Sequence, residues 1–255
     1  MTLETGWLPD TPDDDTIERQ AVLAMASRVV AVAQAAGAPW IDDHRVAVAR
    51  LHARSAFANL GVAKCPIDDP AGLVADVTTA LDGAPFALLT PWAPPPGPLE
   101  IGGHPPFMVR WPGEGDPAAP GDGVSVWEAH DSDQLAVAER LLVDGYPMPD
   151  LADFSSGMLF PPGLLGGRER FFVAEVDGEA AAVAAVHVDH GVNLVEFVAT
   201  VEKHRGKGLG ALVTGHASVS DPSLPAVLQS SDLGRRVYEG IGYRSLRRWT
   251  FCSTS

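Results

Sequence analysis

Apolar residues recur at helical spacing three times in the first third of the chain. Ile17, Val22, Leu23, Val29, Val30 and Val32 make one stripe, predicting a helix over 16–36 that Gly37 and Pro39 end. Val46, Val48, Leu51 and Phe57 predict a second helix from Asp42 to Leu60. Leu73, Val74, Val77 and Leu81 predict a third, beginning at Asp69 or Pro70. Short apolar runs at 85–90 and 107–111 read as strands. Residues 91–122 are rich in proline and glycine, which remove backbone donors and raise the entropy cost of order, so little regular structure is expected there.

Beyond that stretch the period changes to two. Val124 to Ala129 alternates like a strand, and Asp131 or Ser132 caps a helix through Leu142. Phe171 to Val176 and Glu179 to Asp189 pair across Asp177-Gly178 as a hairpin. His190-Gly191 turns the chain into Val192 to Val201, the longest β-like run. A helix over 209–218, a strand over 226–229, a short helix over 233–239 and a last strand over 244–251 follow. The change of rhythm places a domain boundary within 112–123. It divides the chain into a helix-rich accessory domain over 1–120 and a second domain over 121–255.

Composition narrows the function classes. The 255 residues are 46% hydrophobic and 20% charged, as in globular proteins. Thirty-three acids against 18 bases give a formal charge of -15, which repels phosphate backbones and anionic bilayers. No nucleic-acid or membrane partner is therefore expected. Two cysteines are too few for a disulfide framework or a structural zinc site, and no metal is called for. The first residues lack a basic and apolar leader, so a cytoplasmic location is expected.

Against that acidic background, Arg205-Gly206-Lys207-Gly208-Leu209-Gly210 is a basic island between the longest strand and a helix. Glycines let the backbone curl closely round a ligand. The N–H groups at a helix start then favour a phosphate. The loop matches neither the Walker pattern nor the GxGxxG dinucleotide fingerprint, and a plain glycine-rich turn is the competing reading.

The pattern Arg205-x-x-Gly208-x-Gly210 resembles the pyrophosphate signature of the GCN5-related N-acetyltransferase (GNAT) superfamily. Downstream, Val227 to Ser231 and Val237-Tyr238-Glu239-Gly240-Ile241-Gly242-Tyr243 resemble its second motif. The resemblance covers 124–255. It implies a mixed α+β or α/β fold, with a largely antiparallel central sheet flanked by helices. It also implies an N-acyltransferase that moves an acetyl group from acetyl-CoA to a primary amine, on a small molecule or a peptide, by direct attack. Val198, Ala199 and Thr200 would meet the pantetheine, and Arg205, Gly206, Lys207, Gly208, Leu209 and Gly210 the pyrophosphate. Ser231 stands where many members have a cofactor-contacting asparagine, and Tyr238 matches the tyrosine that protonates the departing thiolate.

The general base is less determined. Glu196 shares a face with Val198 and Thr200 by strand alternation unless a bulge intervenes. His187 and His190 are further candidates, and His204 reads as an exposed loop residue. Arg235 and Arg236, with Arg244, Arg247 and Arg248, read as solvated faces. A catalytically silent acyl-CoA sensor is the alternative function. The helix-strand-strand order of the first half suggests a degenerate GNAT-like or accessory domain that covers an open sheet edge. A module shaping the acceptor pocket or a homodimer interface is the alternative.

Overall fold

The computed structural model describes residues 16–94, 96–146 and 155–254. The elements are α1 (Ile17–Ala36), β1 (Trp40–Asp42), β2 (Val46–Ala49), β3 (Leu60–Ala63), α2 (Pro70–Ala80), β4 (Ala87–Thr90), β5 (Glu100–Gly103) and β6 (Pro106–Arg110). They continue with β7 (Val124–Glu128), α3 (Ser132–Gly145), β8 (Glu169–Val176), β9 (Glu179–Asp189), β10 (Val192–Thr200), α4 (Leu209–Ser218), β11 (Ala226–Gln229), α5 (Arg235–Glu239), β12 (Arg244–Arg248) and β13 (Thr250–Ser253). Contacts divide the chain into Met1–Phe107 with Ser245–Ser255, and Met108–Arg244.

The first unit is built on a six-stranded sheet, in the order β1-β2-β3-β4-β13-β5. The helix expected over 42–60 is not there. Val46, Ala47, Val48 and Ala49 are all buried, as befits a strand covered on both faces. The carboxylate of Asp43 accepts from the N–H groups of Arg45 (2.7 Å) and Val46 (3.0 Å), which turns the chain into β2. Buried Asn59 then organises 51–59, accepting from Leu51 and His52 and donating to the carbonyls of His52 and Pro85. These local polar bonds outweigh a helical stripe that is only four residues strong.

The helices that did form have strong ends. Thr16 caps α1 by accepting from Arg19, and Gly37 closes it in the left-handed conformation. Asp69 caps α2, with Pro70 in its first turn. The expected strand over 244–251 is two strands in different sheets. The break comes at Trp249, which is fully buried and stacks on Phe107 with ring centroids 5.0 Å apart. Arg247, expected on a solvated face, instead meets the buried carboxylate of Glu18.

The other sheet has seven strands in the order β12-β6-β11-β10-β9-β8-β7, of which β7 to β11 lie wholly in the second unit. β6, from the first half of the sequence, lies beside β11, inside the sheet and not at its edge. On one face α4 packs its Leu209, Leu212 and Val213 against Phe172, Ala184, Val186 and Val195. The fold thus joins two mixed, largely antiparallel sheets with flanking helices. Among the described residues no helix is long and apolar enough to cross a membrane. The two cysteines, Cys65 and Cys252, are both free thiols.

Candidate functional site

Two tight turns set the frame. Asp177-Gly178 and His190-Gly191 all have positive φ, the geometry that suits the twist of a two-residue hairpin. They fix β8, β9 and β10 in antiparallel register, with Leu194 opposite His187 and Glu196 opposite Ala185. The register then slips between Glu196 and Ala199, and Phe197 adopts φ +54°. This bulge leaves Phe197 and Val198 outside the β9 ladder. On its other edge β10 runs parallel to β11 only at Asn193↔Ala226 and Leu194↔Val227. β10 continues to Thr200 and β11 to Gln229 without further pairing, so a wedge opens between them. Buried Asn193 pins its closed end, exchanging hydrogen bonds with the backbone of Asp221.

The bulge redirects the side chains. Val198 packs with the α4-side core, and the Thr200 hydroxyl lies beside Gly210, the second residue of α4. Phe197 instead meets Phe160, which meets Phe171 on the α3 side. Ala199 abuts Gly145 at the end of α3. Glu196, opposite Ala185 and electrostatically coupled to Tyr146 just after α3, belongs to the α3 side as well. Plain alternation would have grouped Glu196 with Val198 and Thr200; the bulge separates them.

From Thr200 the chain enters a single 3-10 turn (Glu202–His204) and then the glycine loop. Gly206 and Gly208 have φ of +77° and +78°, and a Cβ on either would meet only open space. The conformation demands glycine there, and the concavity it leaves is free. Gly208 caps α4 without any side-chain bond, and no acid sits in the first turn, so the leading N–H groups point out unshielded. The Arg205 guanidinium donates to the carbonyls of Thr200 (3.1 Å) and Gly145 (2.9 Å). It therefore ties the loop to β10 and α3, a use the sequence did not suggest. Lys207 Nζ lies 3.3 Å from His204 Nδ1. His204 is buried, not exposed, and its other nitrogen approaches Glu179 at 3.5 Å.

Tyr238, on α5, packs edge-on to Tyr243 with centroids 6.0 Å apart. Burial pushes its hydroxyl far above the ordinary tyrosine range, helped by Tyr146 and then Tyr243. Burial likewise raises Tyr146, with the charge of Glu196 adding to it. All three tyrosines of the chain thus collect here. Tyr146 was missed because a lone tyrosine at a helix end carries no motif. Tyr243 is spoken for structurally, bonded to Ser218 Oγ at 2.7 Å. Ser231 is exposed, and its Oγ accepts from Gly234 N–H at 3.0 Å, capping the turn that leads into α5.

The histidine candidates stand apart from this group. His187 is buried, with Nδ1 2.8 Å from Glu169 Oε1 on the neighbouring strand. His190 lies in its turn near Asp189. Arg235 pairs with Glu239, one helical turn on. A cavity of about 670 Å³ lies beside the approach to the loop, lined by Val137 and Leu141 of α3 and by Val201 to Lys203. Glu196 and Tyr238 do not line it.

Comparison with known proteins agrees with this geometry. Residues 135–217 match the model of the Acetyltransferase (GNAT) family. A GCN5-related N-acetyltransferase from Kribbella flavida superposes with a TM-score of 0.58 at 20% identity, covering 90% of this chain and 95% of that one. A protein from Novosphingobium aromaticivorans assigned to the GNAT acetyltransferases gives 0.60 at 18% identity, covering 94% and 98%. A conserved protein of unknown function from Staphylococcus epidermidis gives 0.59 at 12%, covering 85% and 93%. No curated protein sequence matches. Residues 135–217 therefore resemble the GNAT family, and the chain has the fold of solved GNAT structures.

Proposed function

We propose that the chain is an N-acyltransferase that uses acetyl-CoA to acylate a primary amine by direct attack. The observation that carries this reading is the wedge between β10 and β11, with a bulge at Phe197 on one side and an open, uncapped glycine loop at its mouth. The N–H groups of the loop from Arg205 to Gly210 receive the pyrophosphate. Val198 to Thr200 border the pantetheine, and an N–H freed from the ladder by the bulge polarises the thioester carbonyl.

Glu196 takes the proton that the attacking amine gives up. The new C–N bond replaces the C–S bond, and the products are an amide and the free thiol of CoA. Tyr238 hydrogen-bonds to the departing sulfur. Its raised pKa keeps it protonated across physiological pH but makes it a weak acid, so it stabilises the thiolate by hydrogen-bond donation, and the proton Glu196 took from the amine returns through solvent to the sulfur to give the thiol. Ser231 borders the cofactor with a hydroxyl proton still free to donate.

The first 120 residues are proposed as a GNAT-like domain without a donor site. The parallel pair β3 and β4 bracket α2 as β10 and β11 bracket α4. The connecting segment Lys64 to Asp69 has no glycine and two acids. Asp69 already occupies an N–H of the first turn of α2, accepting from Gly72 at 2.9 Å, and Lys64 is paired with Asp42, so the segment offers a pyrophosphate no glycine cradle and its charge is already engaged.

Free-thiol release from acetyl-CoA across a panel of amines tests the proposal. Amine-dependent release supports it. Binding of acetyl-CoA with no release on any amine assigns the chain to the silent sensor class instead.

A further inference from the structure

The wedge that would hold the thioester is closed on three sides by residues of this chain, which bears on the acyl chain it accepts. Pantetheine running along Val198 to Thr200 toward the glycine loop leaves the acyl group pointing the other way, toward Leu194. There β10 and β11 are already zipped, at Leu194↔Val227. On the α4 side Val198 packs into a core with Leu209 and Val195. On the α3 side stands Phe197, turned there by its positive φ.

Phe197 is not free to swing. Its ring meets Phe160 edge-on at 5.5 Å, and Phe160 is 3% exposed and packed on Phe171 at 4.6 Å. The backbone behind Phe160 is held by one carboxylate. Glu139, 1% exposed, accepts from the N–H groups of Gly157 (2.6 Å), Leu159 (2.8 Å) and Phe160 (2.9 Å). A buried anion with three charge-assisted bonds makes a rigid anchor. A rigid aromatic wall at a narrowing wedge rejects added methylenes, because a packed site cannot expand without losing contacts elsewhere.

We infer that Phe197, backed by Phe160, is the residue that restricts this protein to short acyl-CoA donors, acetyl in preference to medium-chain acyl groups. The inference rests on the proposed acyl-CoA site. It is tested by calorimetric titration of acetyl-CoA and octanoyl-CoA into the full chain and into Phe197→Ala and Phe160→Ala, with Phe160→Leu as a milder change should the alanine variant not fold. Binding needs no acceptor amine, so the readout does not depend on turnover.

The wild type is expected to prefer acetyl-CoA by roughly tenfold or more, the scale on which an apolar pocket discriminates by size. Shortening either ring should shrink that preference at least several-fold by tightening octanoyl-CoA. Equal affinities in the wild type, or an unchanged preference in natively folded variants, would overturn the assignment of Phe197. Absence of acetyl-CoA binding by the wild type is a different result, one that removes the donor site itself.

Discussion

Arg205 reaches 2.9 Å to the carbonyl of Gly145, sixty residues earlier, and so joins the glycine loop to the end of α3. Its second bond, to Thr200, joins the same loop to β10. In the proposed donor site the arginine would shape the anion cradle as much as it charges it. Arg205→Lys keeps the charge and loses the forked geometry. It should weaken acetyl-CoA binding about five- to tenfold, as one lost charge-assisted bond implies at an exposed site. Arg205→Ala should weaken it further, and calorimetric titration of both distinguishes shape from charge.

Tyr238→Phe removes only the hydroxyl, leaving the packing on Tyr243. We expect kcat to fall roughly a hundredfold, the lower end of what losing a hydrogen-bond donor to developing charge costs, with acetyl-CoA affinity nearly unchanged. Equal loss in Tyr146→Phe would show that the two phenols act together. Steady-state kinetics with a responsive amine, compared with equilibrium binding, separates the two effects.

Glu128 and Arg170 pair bidentately across β7 and β8, at 2.8 and 2.6 Å, with the guanidinium over the Phe172 ring at 5.3 Å. The arginine holds the Glu128 carboxyl below its ordinary value near 4.5, against some desolvation. A lowered folded-state pKa means stability that is present above that ordinary value and lost as pH falls through the folded-state value. Both side chains are partly exposed, so Glu128→Gln should cost only about 1 kcal/mol at pH 7. The difference from wild type should shrink as pH falls below the ordinary value and vanish once pH is below the folded-state value, as read from denaturant unfolding at several pH values.

His216 in α4 titrates in the opposite direction of charge. Burial near the Phe172 ring lowers its pKa below 6.5. Its neutral form therefore supports the fold above pH 6.5, and that support drains away as pH falls through the depressed value. Thermal unfolding between pH 7.5 and 5 should show a decline in Tm that His216→Gln reduces.

Much of this architecture was legible from local chemistry. The two hairpin turns, α4 and β11 are written in dipeptides and periodicity that act over a few residues, and they came out at the expected positions. The glycine loop was readable because positive φ at Gly206 and Gly208 leaves a residue-type signature. What was hidden depends on distant partners. The strand at 46–49 looked helical because its burial on both faces is set by strands and a helix elsewhere in the chain. The bulge at Phe197 has no sequence signature, since a phenylalanine in the left-handed region is strained and is held there only by its surroundings. It decided which way Glu196 faces. The placement of β6 in one sheet and β13 in the other is a matter of topology that no local pattern encodes.

The proposed donor site rests on the positively charged end of α4. The decisive measurement is calorimetric titration of acetyl-CoA into the full chain and into Gly208→Asp. The substitution adds a carboxylate at the cap, with no neighbour within 4 Å to clash and only the positive φ to strain it, about 1 kcal/mol. The wild type should bind one acetyl-CoA per chain, and the natively folded variant should bind none. Equal binding by both, or two molecules bound per chain, would contradict the placement of the donor on this loop alone.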